Sequence, residues 1–209
     1  LGGAGADLLR NGADAWLRWA FEVAGLRGVL AVPAVVAGVL VLWSAWRWGD
    51  RPHDCLGVCL GMAIESVLFA LGLWALSRNF GAILDRLGVE LSAGAPAEAA
   101  GRFLTYVGAG IYEEVLFRLI LFAGLAAVLR FCRLPALLAV AVAAVASALL
   151  FAAAHHLGPY GEPMDGYAFL FRTCAGVYFA LLFQGRGIGV AVGSHAAYDV
   201  LVGLPAAGV

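Results

Sequence analysis

The 209-residue sequence contains no lysine: all thirteen basic residues are arginine, and charged side chains make up only 13% of the chain. An ordinary soluble domain carries roughly 25%. The net charge is -1, so there is no basic face to engage a phosphate backbone, and nucleic acid is excluded as a partner. Cysteine is scarce and unpatterned. Cys55, Cys59, Cys132 and Cys174 lie in or beside apolar runs with no CxxC spacing, which excludes a zinc knuckle or a disulfide framework and leaves them as expected small buried hydrophobes. The HExxH pattern of soluble zinc proteases is missing. So is any self-similarity between the two halves, which counts against a carrier built from inverted repeats. Leu1 stands where a start methionine would be, so the chain reads as a processed product, an excised piece or a fragment.

What is present is hydrocarbon: 63% of residues are hydrophobic and the mean hydropathy is +0.92. The fold class expected is all-α, a polytopic transmembrane helix bundle of about six spans preceded by an N-terminal amphipathic or additional membrane helix. In residues 1–27, Arg10, Asp14, Arg18 and Glu22 recur every fourth position with alternating sign, opposite Leu9, Trp16, Leu17 and Val23. That pattern lays a helix in the membrane interface. The bundle then occupies residues 28–204. Runs long enough to cross a bilayer, about 20 residues each, fall at 28–46, 55–77, 103–131, 136–155, 167–184 and 187–204. Trp43, Trp46 and Trp48 with Arg47 and Arg51 mark the exit of the first span as an interfacial belt. Residues 78–102 form the one substantial polar loop, with room for a short interfacial helix before its Gly/Ala/Pro stretch. The fourth span is nearly all Ala, Val and Leu, which suits the bundle interior, and Gly185, Gly189 and Gly193 form a small-residue stripe for close packing. Six arginines on one face against five on the other leave the orientation unread.

Within the third span lies Tyr112-Glu113-Glu114-Val115-Leu116-Phe117-Arg118. An ionisable group at the middle of a span costs roughly 2.5–3.5 kcal/mol on insertion scales, so such groups are paired and functional by default. Glu114 and Arg118 are i and i+4 in the favourable order for an ion pair, which makes them the supporting pair and leaves Glu113 free. His195 and Asp199, also i and i+4, share one side of the last span. Following the spans as alternating crossings, Glu113 lies about 15 Å below the face bearing the 78–102 loop. His155 closes the fourth span near that face, and His195 and Asp199 return toward it. All four can therefore meet in one cavity. The membrane acids Glu65, Glu113, Glu114 and Asp199 outnumber the bases Arg118 and Arg172 by two. The excess carboxylates must take up a proton, share one with a histidine, or bind a metal. A carboxylate base and a metal-bound water both suit hydrolysis. Glu65 and Arg172 are expected to pair with each other or with a partner inside the bundle, and His156 to face solvent.

Glu113-Glu114 with Arg118, Phe151 with His155, and His195 with Asp199 resemble, in order, the EExxxR, FxxxH and HxxxN/D motifs of the CPBP family. That family comprises membrane-embedded CAAX prenyl endopeptidases and bacteriocin-processing or Abi-type proteins. The motif-bearing core is 103–204. The resemblance implies catalytic roles for Glu113, His155, His195 and Asp199: Glu113 activates water, helped by His155, while His195 and Asp199 hold the water or the oxyanion. It implies an integral protein of a prokaryotic plasma (inner) membrane acting on a membrane-anchored or lipidated polypeptide, in contact with the lipid bilayer. A metal-free, glutamate-type reaction with no cofactor is favoured. Zinc held by Glu113, His155, His195 and Asp199 is the other course the family's descriptions leave open. Asp199 stands where many relatives carry Asn, and an ionised Asp is a poorer oxyanion partner and a better metal ligand. Two other classes compete: a proton- or ion-coupled carrier using Glu65, Glu113, Arg118, Arg172 and Asp199 as a relay, and a non-catalytic immunity or scaffold protein that keeps the fold.

Overall fold

A computed structural model describes residues 31–50, 52–91, 103–157 and 162–203, and every regular element in them is helical. The elements are α1 (Ala31–Trp46), a short 3₁₀ turn (Trp48–Asp50), α2 (Cys55–Arg86), α3 (Phe103–Glu114), a π-helical segment (Val115–Phe122), α4 (Ala123–Phe131), α5 (Ala136–Ala154), α6 (Gly166–Arg186) and α7 (Ile188–Gly203). The expected interfacial helix of residues 1–27 lies outside the described residues. Cys55–Arg86, Ala136–Ala154 and Gly166–Arg186 are long and apolar enough to cross a membrane, and Pro33–Trp46 and Ile188–Gly203 are apolar but shorter.

The distribution of polarity is that of a membrane protein. On α2, Leu56, Leu60, Ile64 and Leu68 are exposed, as are Leu137, Val145 and Leu150 on α5, whereas Ser66, Glu113, Glu114, Arg118, Ser147, Ser194 and His195 are buried. An apolar outside around a polar inside is stable only where the outside is lipid. The same inversion corrects two expectations. Cys55, Cys59 and Cys132 are exposed and Cys174 half-buried, all free thiols, because in a helix apolar all round hydropathy cannot separate the lipid face from the core. Similarly α5 is only half interior: Ala139, Ala143, Ala144, Ala148 and Ala152 face the bundle, with Val140 packed beside them, while its leucines, Val142 and Val145 face out.

The loop expected over 78–102 starts later than the sequence suggested. α2 continues to Arg86 and ends at Gly88, whose φ of 72° is a left-handed stop. Its 32 residues make a rod of about 48 Å against a hydrocarbon thickness of roughly 30 Å. Arg78 ends the apolar run without ending the helix. Arg78 lies 5.8 Å over the Trp74 ring, which gives the charge a partner while helix continues.

Small residues set how closely the helices approach. A Cβ on Gly193 would strike the Ser66 hydroxyl and one on Gly189 the Met62 methyl, so the glycine stripe packs α7 onto α2; Gly185 has open space around it and takes no part. On Gly176 a Cβ would lie 2.8 Å from the Ala148 Cβ, locking α5 to α6, and on Gly110 it would lie 3.1 Å from the Ala196 nitrogen, locking α3 to α7. Gly187 (φ 87°) alone separates α6 from α7, which therefore run antiparallel. Gly193→Leu is expected to lower stability by about 1–3 kcal/mol through overpacking against Ser66, read as a lower melting temperature in detergent. Gly185→Leu is the neutral control, and equal losses in the two would sink this account of the stripe.

Candidate active site

The two glutamates occupy the last turn of α3, and the chain continues as a π helix in which the Ala123 amide reaches back to the Arg118 carbonyl. π segments are rare and concentrate at functional sites. Here the segment turns Val115, Phe117, Arg118, Leu119 and Phe122 inward.

Glu114 is wholly enclosed. Its Oε1 lies 2.8 Å from His195 Nδ1 and its Oε2 lies 3.2 Å from Arg118 Nε. One carboxylate thus joins α7 to the π segment, and Gly110, one turn earlier, is what lets α3 and α7 come close enough. Arg118 is 1% exposed and is held from three further sides. Its Nη2 donates to the Gly176 carbonyl (3.4 Å), and its guanidinium carbon lies 4.6 Å from the Phe151 ring centre and 5.5 Å from that of Phe179. A guanidinium is weakly hydrated and planar, which suits such an aromatic slot.

His195 Nδ1 donates to Glu114, so Nε2 faces the opposite way, 3.6 Å from Glu113 Oε2 and 3.7 Å from Asp199 Oδ2. These separations exceed direct hydrogen-bond reach and suit a water shared among the three groups. The imidazole stacks on Phe179 with centroids 4.5 Å apart and planes 13° apart. His155 ends α5 with its Nδ1 2.8 Å from the Phe151 carbonyl, which puts the proton on Nδ1 and the lone pair on Nε2. Glu113 and His155 share the wall of a cavity of about 350 Å³ that is otherwise apolar, lined by Leu116, Phe117, Ile120, Leu150 and Leu157. Ile120, Leu150 and Leu157 are about half exposed at its rim.

The structure therefore gathers Glu113, Glu114, Arg118, His195 and Asp199 into one cluster and sets His155 in the wall of the same cavity as Glu113. Glu114 proves to be more than the partner of Arg118, since it is the carboxylate that holds His195 Nδ1. Glu65 and Arg172 do not pair with each other. Glu65 pairs with Arg186, and Arg172 Nη2 lies 2.7 Å from Glu162 Oε2. Fourteen residues of helix separate Arg172 from Arg186, about 21 Å, so the two arginines serve opposite ends of α6. His156 is half-buried and does not face solvent. Its Nδ1 lies 3.1 Å from the Pro163 carbonyl, because residues 162–165 fold back over the helix end and the Glu162 amide donates to the His155 carbonyl. Among the described residues no group of three or more His, Cys, Asp or Glu side chains is placed to hold a metal ion. His155 and His195 each hold Nδ1 on a protein oxygen, which leaves both Nε2 atoms open.

The family model for type II CAAX prenyl endopeptidase Rce1-like matches residues 95–201, a stretch that contains every residue of this cluster. The chain belongs to that family. No curated protein and no solved structure matches it. Membership in the Rce1-like family implies an intramembrane endopeptidase, and the apolar helices place the chain in a membrane. Within this Rce1-like core, Gly176 and Phe179 contact the cluster without any motif to mark them in the sequence. α6 carries no acid-histidine motif, and a single Phe among apolar residues gives no signal. A glycine three positions before it is the only mark of close approach.

Proposed function

We propose that the chain hydrolyses a peptide bond in a membrane-anchored or prenylated protein or peptide, with Glu113 as the base. The observation that carries this reading is the placement of Glu113 at the inner end of an apolar cavity, with His195 Nε2 3.6 Å away and His155 on the same wall. Glu113 takes one proton from a water held between it, His195 and Asp199. The remaining hydroxide oxygen attacks the scissile carbonyl carbon, and the carbonyl π electrons move onto oxygen. His155 Nε2, an acceptor, holds the water's second proton in line, and His195, as an imidazolium among the carboxylates of Glu113, Glu114 and Asp199, donates its Nε2–H to the developing oxyanion. Collapse of the tetrahedral intermediate breaks the C–N bond, and Glu113 returns its proton to the leaving amine. The apolar walls exclude bulk water and accept the hydrophobic part of an anchored chain.

The reaction as written uses no metal. Cleavage is expected to survive treatment with a zinc chelator, with less than one metal per two chains in the purified protein, and loss of activity restored by added zinc would overturn the metal-free route. Substrate class is tested in proteoliposomes with three peptides of one sequence: farnesylated near its carboxyl end, fused to a transmembrane anchor, and free. Cleavage of either anchored form over the free one supports the proposal. Equal cleavage of all three refutes the requirement for an anchor. Absence of cleavage with pH-driven solute uptake supports the carrier instead.

A further inference from the structure

The imidazole of His195 is fixed by two contacts of different kinds. Glu114 grips one atom, Nδ1, and a grip at one atom leaves the ring free to swing about that bond. The second contact removes the swing: the Phe179 ring lies 4.5 Å from the imidazole centroid and only 13° from parallel. The other aromatic rings around the site, by contrast, meet edge to face, with Phe151 at 78° to His195 and at 82° to Phe117. Phe179 is itself 1% exposed and belongs to the core cluster with Leu73, Leu182 and Ala191, so its plane cannot turn without moving three helices. Its ring also faces the Arg118 guanidinium, whose carbon is 5.5 Å from the centroid. One flat side chain from a helix that carries none of the acid-histidine motifs thus touches both partners of Glu114.

We infer that Phe179 is a positioning residue: it sets the plane of His195, so that Nε2 is held toward Glu113 and Asp199 while Nδ1 stays on Glu114. The inference rests on the proposed hydrolytic role of His195 for its functional consequence, and on the stacking geometry alone for its structural one. A misplacement of about 1 Å at a reacting group costs roughly 10²-fold in rate, and an unstacked imidazole can move its Nε2 by that much.

The test compares Phe179→Leu, which keeps apolar bulk and loses the flat face, with Phe179→Tyr, which keeps it, and with Leu182→Ala as a generic packing loss on the same helix. The imidazole nitrogens of His195 are read by ¹⁵N NMR, assigned by difference from His195→Gln. The expected result is two distinct protonated nitrogens, Nδ1–H held on Glu114 and Nε2–H toward the site, in the wild-type protein, in Phe179→Tyr and in Leu182→Ala, and averaged nitrogens in Phe179→Leu. On the anchored peptide substrate, kcat falls roughly 10²-fold in Phe179→Leu with KM unchanged, and stays near wild type in Phe179→Tyr. Wild-type nitrogen signals in Phe179→Leu, or an equal kcat loss in Leu182→Ala, would overturn the inference. If the wild-type protein cleaves nothing, the nitrogen spectra still decide the positioning role, so failure of the protease reading is separable from failure of this one.

Discussion

Glu113→Gln is expected to lower peptide cleavage by about 10³-fold, inside the 10²–10⁴ range for loss of a positioned base, while the melting temperature in detergent moves by less than about 2 °C. The two halves of that expectation come from one geometry. Glutamine matches glutamate in volume, so the apolar cavity walls of Leu116, Phe117 and Leu150 keep their packing. Its amide nitrogen cannot take a proton from water, and its amide oxygen is too weak a base to do so. Glu113 makes no contact with Arg118 of the kind Glu114 makes, so removing its charge strands no buried cation. Asp at the same position keeps the charge and withdraws it by one methylene, and is expected to retain part of the rate. Full cleavage by Glu113→Gln would remove the base from the mechanism. A collapse of folding in that variant would show that the carboxylate is structural.

Much of this site is legible without the structure because its members are costly in hydrocarbon. Glu113, Glu114, Arg118, His195 and Asp199 stand out from apolar runs, and helical spacing alone separates Glu114 with Arg118 from Glu113. What spacing cannot supply is the contact between helices. Nothing in the residues 103–131 says that Glu114, already four residues from its arginine, also reaches His195 eighty-one positions away. By spacing, His195 belongs with Asp199, its i+4 neighbour, yet those groups lie 3.7 Å apart, too far for a direct bond. The π segment is illegible for a related reason: the α and π ladders differ by one residue per turn, and an apolar stretch such as Val115–Phe122 satisfies both. The reach of α2 is hidden because Arg78 interrupts the apolar run, and charge ends only a helix's passage through hydrocarbon. Phe179 and the lipid-facing cysteines share the last cause. Hydropathy measures how apolar a residue is and carries no information about which neighbour it meets.

Breaking the pair behind Glu113 is expected to cost more stability than any other single change. Arg118→Met leaves Glu114 enclosed with only His195 to balance it, and removing one partner of a buried ion pair costs about 3–5 kcal/mol. Glu114→Gln strands Arg118 in the same way, between two aromatic rings and with the Gly176 carbonyl as its remaining anchor. The double variant Glu114→Gln, Arg118→Met removes both charges while keeping their volumes, and replacement of a whole buried pair by neutral groups is frequently close to neutral. A double-mutant cycle on unfolding in detergent should therefore give a large coupling energy, with the double variant more stable than either single one. Activity should not follow stability back. In Glu114→Gln the side-chain amide oxygen can still accept from His195 Nδ1, but a charge-assisted hydrogen bond is about twice as strong as a neutral one, so His195 is held less firmly and kcat stays low in the double variant. Additive losses in stability would mean that Glu114 and Arg118 are independently solvated, contrary to their burial. Recovery of both stability and kcat would confine Glu114 to a structural role and leave the orientation of His195 to Phe179 alone.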